Sequence, residues 1–288
     1  SDADSTVCDP KTDRRATGGS SLMKTPAKVL AEQVSRIEES GRFYPRSEAL
    51  PTWCPGCGYF GIHQGIVDCI SSLGLPLHEI VTVSGIGCAG RYPFFSKNYG
   101  LHTVHGRTLP AATGIKLANP GLTVFAIGGD GDGLAIGGGH LPHIARRNID
   151  VNYVLFDNSI YGLTKGQPSP SSPLGSKTKV SPYGTVDKPL NATLMALTYG
   201  ASFVARLFAG DPKGITDALI QGVQNPGFSI FHVYTSCVTF DKTFKTWTNL
   251  KKWVHPLPAG YDPTDIHVAF DQVLKDDFSL GIIYKRED

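Results

Sequence analysis

No run of apolar residues in this 288-residue sequence approaches the roughly 18 positions that a membrane-spanning helix requires. Residues 1–21 are polar and lack the apolar stretch of a secretory signal. The formal net charge, +2, is too small to suggest nucleic-acid binding or a polybasic membrane surface. No internal repeat is present, and neither G-x-x-x-x-G-K-[ST] nor G-x-G-x-x-G occurs, which removes the P-loop and dinucleotide signatures. With 41% hydrophobic and 18% charged residues, the chain reads as a soluble, intracellular globular protein with one large core or two small ones. Six cysteines, Cys8, Cys54, Cys57, Cys69, Cys88 and Cys237, then point to metal binding or redox chemistry rather than disulfides.

Residues 1–50 read as an N-terminal arm suited to wrapping a partner, with one amphipathic stretch from Ala27 to Glu38. From residue 51 to 240 apolar strands alternate with helices. Helices are expected at Tyr59–Leu73, Leu109–Leu117, Leu134–Asn148, Leu190–Leu197 and Lys213–Val223. Strands are expected at Glu79–Val83, Leu101–Val104, Leu122–Ile127, Val151–Phe156, Ser202–Leu207 and Ser229–Tyr234. Residues 158–189 form a loop rich in Gly, Pro, Ser and Lys, long enough to be functional. Residues 241–288 read as an irregular C-terminal extension with a helix at Thr264–Leu274 and a strand at Leu280–Tyr284.

This alternation predicts an α/β fold, a doubly wound parallel sheet covered on both faces. Ligands in such sheets bind beyond the carboxyl ends of the strands. Cys88, His105 with Arg107, Asp130 with Asp132, Asn158 and Cys237 all fall at strand ends, so they are expected on one rim.

Residues 128–133 read Gly-Gly-Asp-Gly-Asp-Gly directly after an apolar strand. Glycines allow backbone to approach a diphosphate, and a carboxylate beside phosphates suits magnesium. Asn158 follows Asp130 one helix and one strand later, where its amide oxygen can reach the same ion. This pairing resembles the thiamine-diphosphate fingerprint, which implies magnesium held by Asp130, Asn158 and the Ile160 carbonyl. Gly87, Cys88, His105, Gly129, Gly131 and Asp132 are further candidates for the cofactor site. Without Asn158, the glycine-rich segment would read simply as a turn. Thiamine enzymes also need a glutamate from a second domain, and no second α/β domain is visible, so a partner subunit is expected to complete the site.

Residues 53–58 read Trp-Cys-Pro-Gly-Cys-Gly. A thioredoxin-type dithiol shares this spacing, but the strand that should lead into it is missing. A zinc ribbon needs a second C-x-x-C. An iron–sulfur cluster needs four thiolates, which Cys54, Cys57, Cys88 and Cys237 can supply. Cys69 reads as a core residue and Cys8 as a free thiol of the arm.

Taken in order, WCPGCG, SGIGCAGR, HGR, GGDGDG, DNSIYGLTKGQ and YTSC resemble the β subunit of 2-oxoacid:ferredoxin oxidoreductases, over roughly residues 50–240. The resemblance implies a thiamine-diphosphate-binding (PP-type) fold and a single [4Fe–4S] cluster on Cys54, Cys57, Cys88 and Cys237. It also implies coenzyme-A-dependent oxidative decarboxylation of a 2-oxoacid, with electrons passed to ferredoxin and a reversible direction. The expected partners are an α subunit, in a dimer of heterodimers in the cytoplasm, and ferredoxin; neither nucleic acid nor membrane is expected. Arg91, three residues after Cys88, is placed to clamp a distal carboxylate bidentately. With Leu163 and Lys165 it resembles the 2-oxoglutarate type; pyruvate or another oxoacid is the alternative. Arg91 could instead serve an interface ion pair, and Lys165 coenzyme A phosphates. His105 and Arg107 are expected near the diphosphate or at the partner interface, or in a purely structural role. Two other functions compete: a non-redox thiamine decarboxylase or lyase subunit, and a non-catalytic iron–sulfur or zinc module.

Overall fold

The structure is a computed structural model that describes residues 47 and 49–287. The arm up to residue 46, with the Ala27–Glu38 stretch and Cys8, lies outside the described residues.

Helix α1 (Tyr59–Leu73) leads into β1 (Ile80–Ser84) and β2 (Tyr99–His102), with a short 3-10 helix, Ala89–Phe95, between the strands. There follow α2 (Thr108–Ala118), β3 (Thr123–Gly129), α3 (Leu141–Arg146), β4 (Asn152–Asp157), and the two-residue strands β5 (Ile160–Tyr161) and β6 (Gln167–Pro168). Then come α4 (Ala192–Thr198), β7 (Phe203–Phe208), α5 (Pro212–Gln224) and β8 (Ser229–Tyr234). Helix α6 (Lys245–Trp253), β9 (His255–Pro256), α7 (Ile266–Lys275) and β10 (Ser279–Lys285) complete the order.

Eight strands form one sheet in the order β2-β1-β3-β4-β8-β7-β10-β9, and β5 pairs with β6 in a separate hairpin. From β2 to β7 every pairing is parallel. Strands β1, β4 and β7 are buried along their whole length, as strands covered on both faces must be. Alternate residues feed two cores. Phe125, Ile127, Val154 and Phe156 pack with α1 and α5, while Val124, Ala126, Tyr153 and Leu155 pack with α2, α3, α4 and α7.

Local chemistry explains the element ends. Gly74 closes α1 in the left-handed conformation (φ 63°). The Asp211 carboxylate accepts from Gly214 N at the start of α5, where Pro212 occupies the first turn. Asn191 and Asp265 cap α4 and α7 in the same way.

The structure departs from the sequence expectations at five places. The helix expected over Leu134–Asn148 is broken into a π-helix, Gly131–Ile136, a 3-10 turn, Gly138–His140, and α3. Three successive glycines, 137–139, and Pro142 undo a continuous helix there. Strand β2 ends two residues earlier than expected, so His105 and Arg107 sit in the turn that opens α2 rather than on a strand end. The Ala89–Phe95 helix and α6 were not expected; Pro93 and a weak apolar pattern conceal the first. The C-terminal residues are not an irregular appendage, because β10 lies antiparallel against β7 and extends the main sheet, which is therefore mixed at that side.

Candidate active site

The chain reverses its direction of travel across the sheet between β1 and β3: β2 lies on one side of β1 and every later strand of the main sheet on the other. The segments leaving β1, β3 and β4 diverge around this point, where open parallel sheets bind ligands. They enclose a cavity of about 490 Å³ walled by Gly87, Cys88, His105, Gly129, Asp130, Gly131, Asp132, Asn158, Ile160 and Leu163, among others.

Asp130 directly follows β3 and is buried. Its Oδ2 accepts from Ser171 Oγ at 3.0 Å. The same hydroxyl lies 2.6 Å from Asp157 Oδ1, so two buried carboxylates meet across one serine. Burial, with the charge of Asp157, pushes the Asp130 carboxyl up to about 7. Burial opposes ionisation of Asp157 too, but the His232 hydrogen bond and charge, with Ser171 and Ser159 N, outweigh it and hold that carboxyl below the usual range. The His232 Nε2–Asp157 Oδ2 distance is 2.8 Å. A cation at Asp130 would relieve the repulsion that remains. Asn158 lies beside it: its Oδ1 accepts from Ile160 N at 3.2 Å and its Nδ2 donates to the buried Tyr59 hydroxyl at 3.0 Å. Gly131 is required sterically, since a Cβ there would lie 2.2 Å from the Tyr161 ring.

Asp132 has a different office. Its Oδ1 accepts from Ile86 N (2.9 Å) and Gly106 N (2.8 Å) and meets His105 Nδ1 at 2.9 Å. Its Oδ2 accepts from Thr108 Oγ1 at 3.2 Å. The carboxylate therefore ties the turns after β1 and β2 to the turn after β3. It borders the cavity, but its oxygens are committed to the chain's own donors, so it shapes the site rather than ligating within it.

The four cysteines flank the cavity. A Cβ on Gly162 would lie 3.7 Å from Cys88 Sγ and 3.5 Å from Cys237 Sγ. The backbone of Gly162 also walls the cavity, so the thiols and the cavity share one thin partition. Cys54, Cys57, Cys88 and Cys237 all interact electrostatically with one another. Burial pushes Cys57 up to about 12 and raises Cys88 and Cys237, with the neighbouring thiols acting in the same sense. A cationic group held among them would favour the thiolate forms of Cys57, Cys88 and Cys237. Among the described residues no three His, Cys, Asp or Glu side chains converge on a single metal position. Trp53 Nε1 donates to the Cys88 carbonyl (2.7 Å), tying the C-x-x-C segment to the turn after β1. Cys69 is buried in the core, as expected.

Other expected residues stand further off. Arg91 is on the 3-10 helix after Cys88 and favours ionisation of that thiol, but it is not in the cavity wall. Leu163 is in the wall; Lys165 is exposed, in the left-handed region (φ 88°), and outside it. Arg107 Nη1 donates to the Gly106 carbonyl at 3.2 Å at the start of α2. Tyr59, Asp157, Ser171 and His232 escaped sequence reasoning. Only His232 left a signal, as a histidine inside the apolar strand SIFHVY, where burial demands a partner.

Residues 84–233 match the family described as thiamine pyrophosphate enzyme, C-terminal TPP binding domain. Residues 237–288 match the C-terminal part of the pyruvate ferredoxin oxidoreductase beta subunit. The 2-oxoglutarate synthase subunit KorB of Archaeoglobus fulgidus is 45% identical over 200 residues, 69% of this chain and 74% of that one. The 2-oxoacid:ferredoxin oxidoreductase subunit beta of a Sulfolobus species is 39% identical over 249 residues, 82% of each chain. The 2-oxoglutarate oxidoreductase subunit KorB of Mycobacterium tuberculosis is 45% identical over 66% of this chain, and the match spans about half of that longer protein, 51%. Among solved structures, the 2-oxoglutarate:ferredoxin oxidoreductase from Magnetococcus marinus, with 2-oxoglutarate, coenzyme A and succinyl-CoA bound, superposes with a TM-score of 0.82 at 41% identity, covering 85% of this chain and 84% of that one. The chain belongs to the β-subunit family of the 2-oxoacid:ferredoxin oxidoreductases and is similar to its 2-oxoglutarate synthase members.

Proposed function

We propose that the chain, with an α subunit, catalyses coenzyme-A-dependent oxidative decarboxylation of 2-oxoglutarate to succinyl-CoA and carbon dioxide, reversibly. Electrons pass through one [4Fe–4S] cluster to ferredoxin, and the assembly is a cytoplasmic dimer of heterodimers. No helix among the described residues is long and apolar enough to cross a membrane. The observation that carries the reading is Gly162, which walls the cavity while its Cβ position lies within 4 Å of Cys88 Sγ and Cys237 Sγ, with Cys88 itself in the same wall.

Asp130, the Asn158 side chain and the Ile160 carbonyl would hold magnesium, and Gly129 and Gly131 would admit the diphosphate beside it. Thiamine diphosphate, when bound, supplies the nucleophilic carbon and the electron sink for loss of carbon dioxide. Cys54, Cys57, Cys88 and Cys237 would ligate the cluster, which supplies a one-electron acceptor. The Asp157–His232 pair keeps a negative charge fixed next to Asp130. Ile86, Tyr161 and Leu163 line the cavity and would give the reacting carbon an apolar wall.

The reading is tested by anaerobic visible absorption of the chain purified with its partner. A brown chromophore that bleaches on addition of 2-oxoglutarate is the expected result. A colourless protein would leave only the non-redox thiamine reading, and a brown one that bleaches with pyruvate alone would reassign the substrate.

Arg91 supplies the second test. If its guanidinium holds the distal carboxylate, Arg91→Ala raises the KM for 2-oxoglutarate by about 10- to 100-fold, the value of a charge-assisted hydrogen-bonded pair. The KM for pyruvate, which lacks that group, stays within about twofold. Equal changes for both acids would show that Arg91 acts through Cys88 instead.

A further inference from the structure

Of the four clustered thiols, Cys54 is the exposed one, and its Sγ lies 3.0 Å from Thr239 Oγ1. The surface around it has an uneven composition. Residues 51–61 carry no charged side chain. Residues 238–253 carry four lysines and a single acid, Asp241. Asp241 is spent at the start of α6, where its carboxylate accepts from Lys245 N at 3.2 Å and Thr246 N at 2.5 Å. Lys242, Lys245, Lys251 and Lys252 are all exposed. Two phenylalanines sit among these charges with their rings partly in solvent: Phe240 at 40% and Phe244 at 49%. The Phe244 ring lies over the C-x-x-C loop, 3.7 Å from where a Gly56 Cβ would be. Phe244 itself takes the left-handed conformation (φ 53°), which a bulky side chain rarely adopts.

We propose that this face, with Cys54, Phe240 and Phe244 at its centre and Lys242 and Lys245 on its rim, is the docking surface for a small acidic one-electron carrier protein. The inference rests on the cluster reading above and locates its electron exit. An apolar centre with a charged rim is the anatomy of a specific but transient interface. The unbalanced lysines select an acidic partner and accelerate its encounter. In each event one electron leaves the reduced cluster and enters the oxidised carrier, with no bond made or broken, so two carriers are reduced for each oxoacid oxidised.

The test uses the holoenzyme with its α subunit, an acidic ferredoxin as one acceptor and methyl viologen as the other. The double variant Lys242→Glu/Lys245→Glu is expected to raise the ferredoxin KM about tenfold or more at low ionic strength. The difference narrows as salt approaches about 0.5 M, because these charges are exposed. Viologen turnover at saturation and iron content stay within about twofold of the parent. An unchanged ferredoxin KM, or viologen turnover that falls in parallel, overturns the docking assignment while the cluster reading stands. A parent enzyme that reduces neither acceptor overturns the cluster reading, and the docking surface with it.

Discussion

The Asp130→Ala holoenzyme is expected to lose its thiamine diphosphate and magnesium on gel filtration while keeping its iron. Asp130 is the carboxylate after β3 that faces the cavity with serine hydroxyls and Asn158 N as its donors, whereas Asp132 is held by donors from three neighbouring turns. On the proposed assignment, removing it deletes the one anionic ligand, and Asn158 with a backbone carbonyl would retain only neutral oxygens. The affinity loss should reach roughly 100-fold or more, since even residues that merely orient metal ligands are worth about 10- to 100-fold. Asp130 makes no hydrogen bond to any of the four cysteines, so metal analysis should show an unchanged iron content. Retained thiamine diphosphate would disprove the magnesium assignment.

The same carboxylate governs stability in the cofactor-free protein. Its folded pKa, about 7, lies above the usual carboxylate value of about 3.9. The folded chain thus binds this proton more tightly than the unfolded chain, and stability falls as pH rises from about 4 to about 7. The drop amounts to a few kcal/mol at most. Asp157, held low by His232, acts in the opposite sense: its contribution is present above about pH 4 and is lost in acid. Asp130→Asn should therefore melt higher than the cofactor-free parent at pH 8, and by a smaller margin at pH 5. Identical melting curves at pH 8 would remove the buried-charge argument.

Asp132→Ala is expected to be the more damaging change to the fold. Four donors, Ile86 N, Gly106 N, His105 Nδ1 and Thr108 Oγ1, surround a carboxylate only 3% exposed. Truncation leaves several of them without a partner, at about 3–5 kcal/mol in total. In a chain of this length that lowers the Tm by about 10 °C. Asp132→Asn preserves one oxygen acceptor and can offer its amide to the Thr108 hydroxyl, so the loss should be less than half as large. Thermal melts of both variants, followed by near-ultraviolet circular dichroism, measure the difference. An alanine variant within about 3 °C of the parent would mean that water replaces the carboxylate without loss.

The two aspartates show what a motif conveys and what it does not. Gly-Gly-Asp-Gly-Asp-Gly marks a place where backbone and carboxylates crowd a strand end. It does not say that the first carboxylate faces the cavity and Asp157 while the second turns back to hold three loops together; that depends on the π-helical turn, which local propensity does not encode. The buried strands β3, β4, β7 and β8 were legible because each is a continuous apolar run. The edge strand β2 was placed two residues late because its side chains are all exposed and carry no burial pattern. Ser171 was invisible for a different reason. It lies 41 residues from Asp130, in a loop without regular pattern, and only the folded chain brings it between the two carboxylates. Arg91 and Lys165 were singled out by resemblance, and neither lines the cavity wall.

The antiparallel strand β10 bears on how the protein is made. Strand β7 needs β10 to cover its outer edge, and the shortest hydrogen bond of the buried Arg206 guanidinium on β7, 2.7 Å to the carbonyl of Asp276, reaches 70 residues further along the chain. A nascent chain emerging from the ribosome at about 5–20 residues per second must then hold β7 open for several seconds. During that interval an unpaired strand edge and an unsatisfied cation are exposed together, a combination that invites chaperone binding or aggregation. Loss of even a dozen residues around β10 would make that interval permanent, although the cofactor cavity lies on the far side of the sheet's centre.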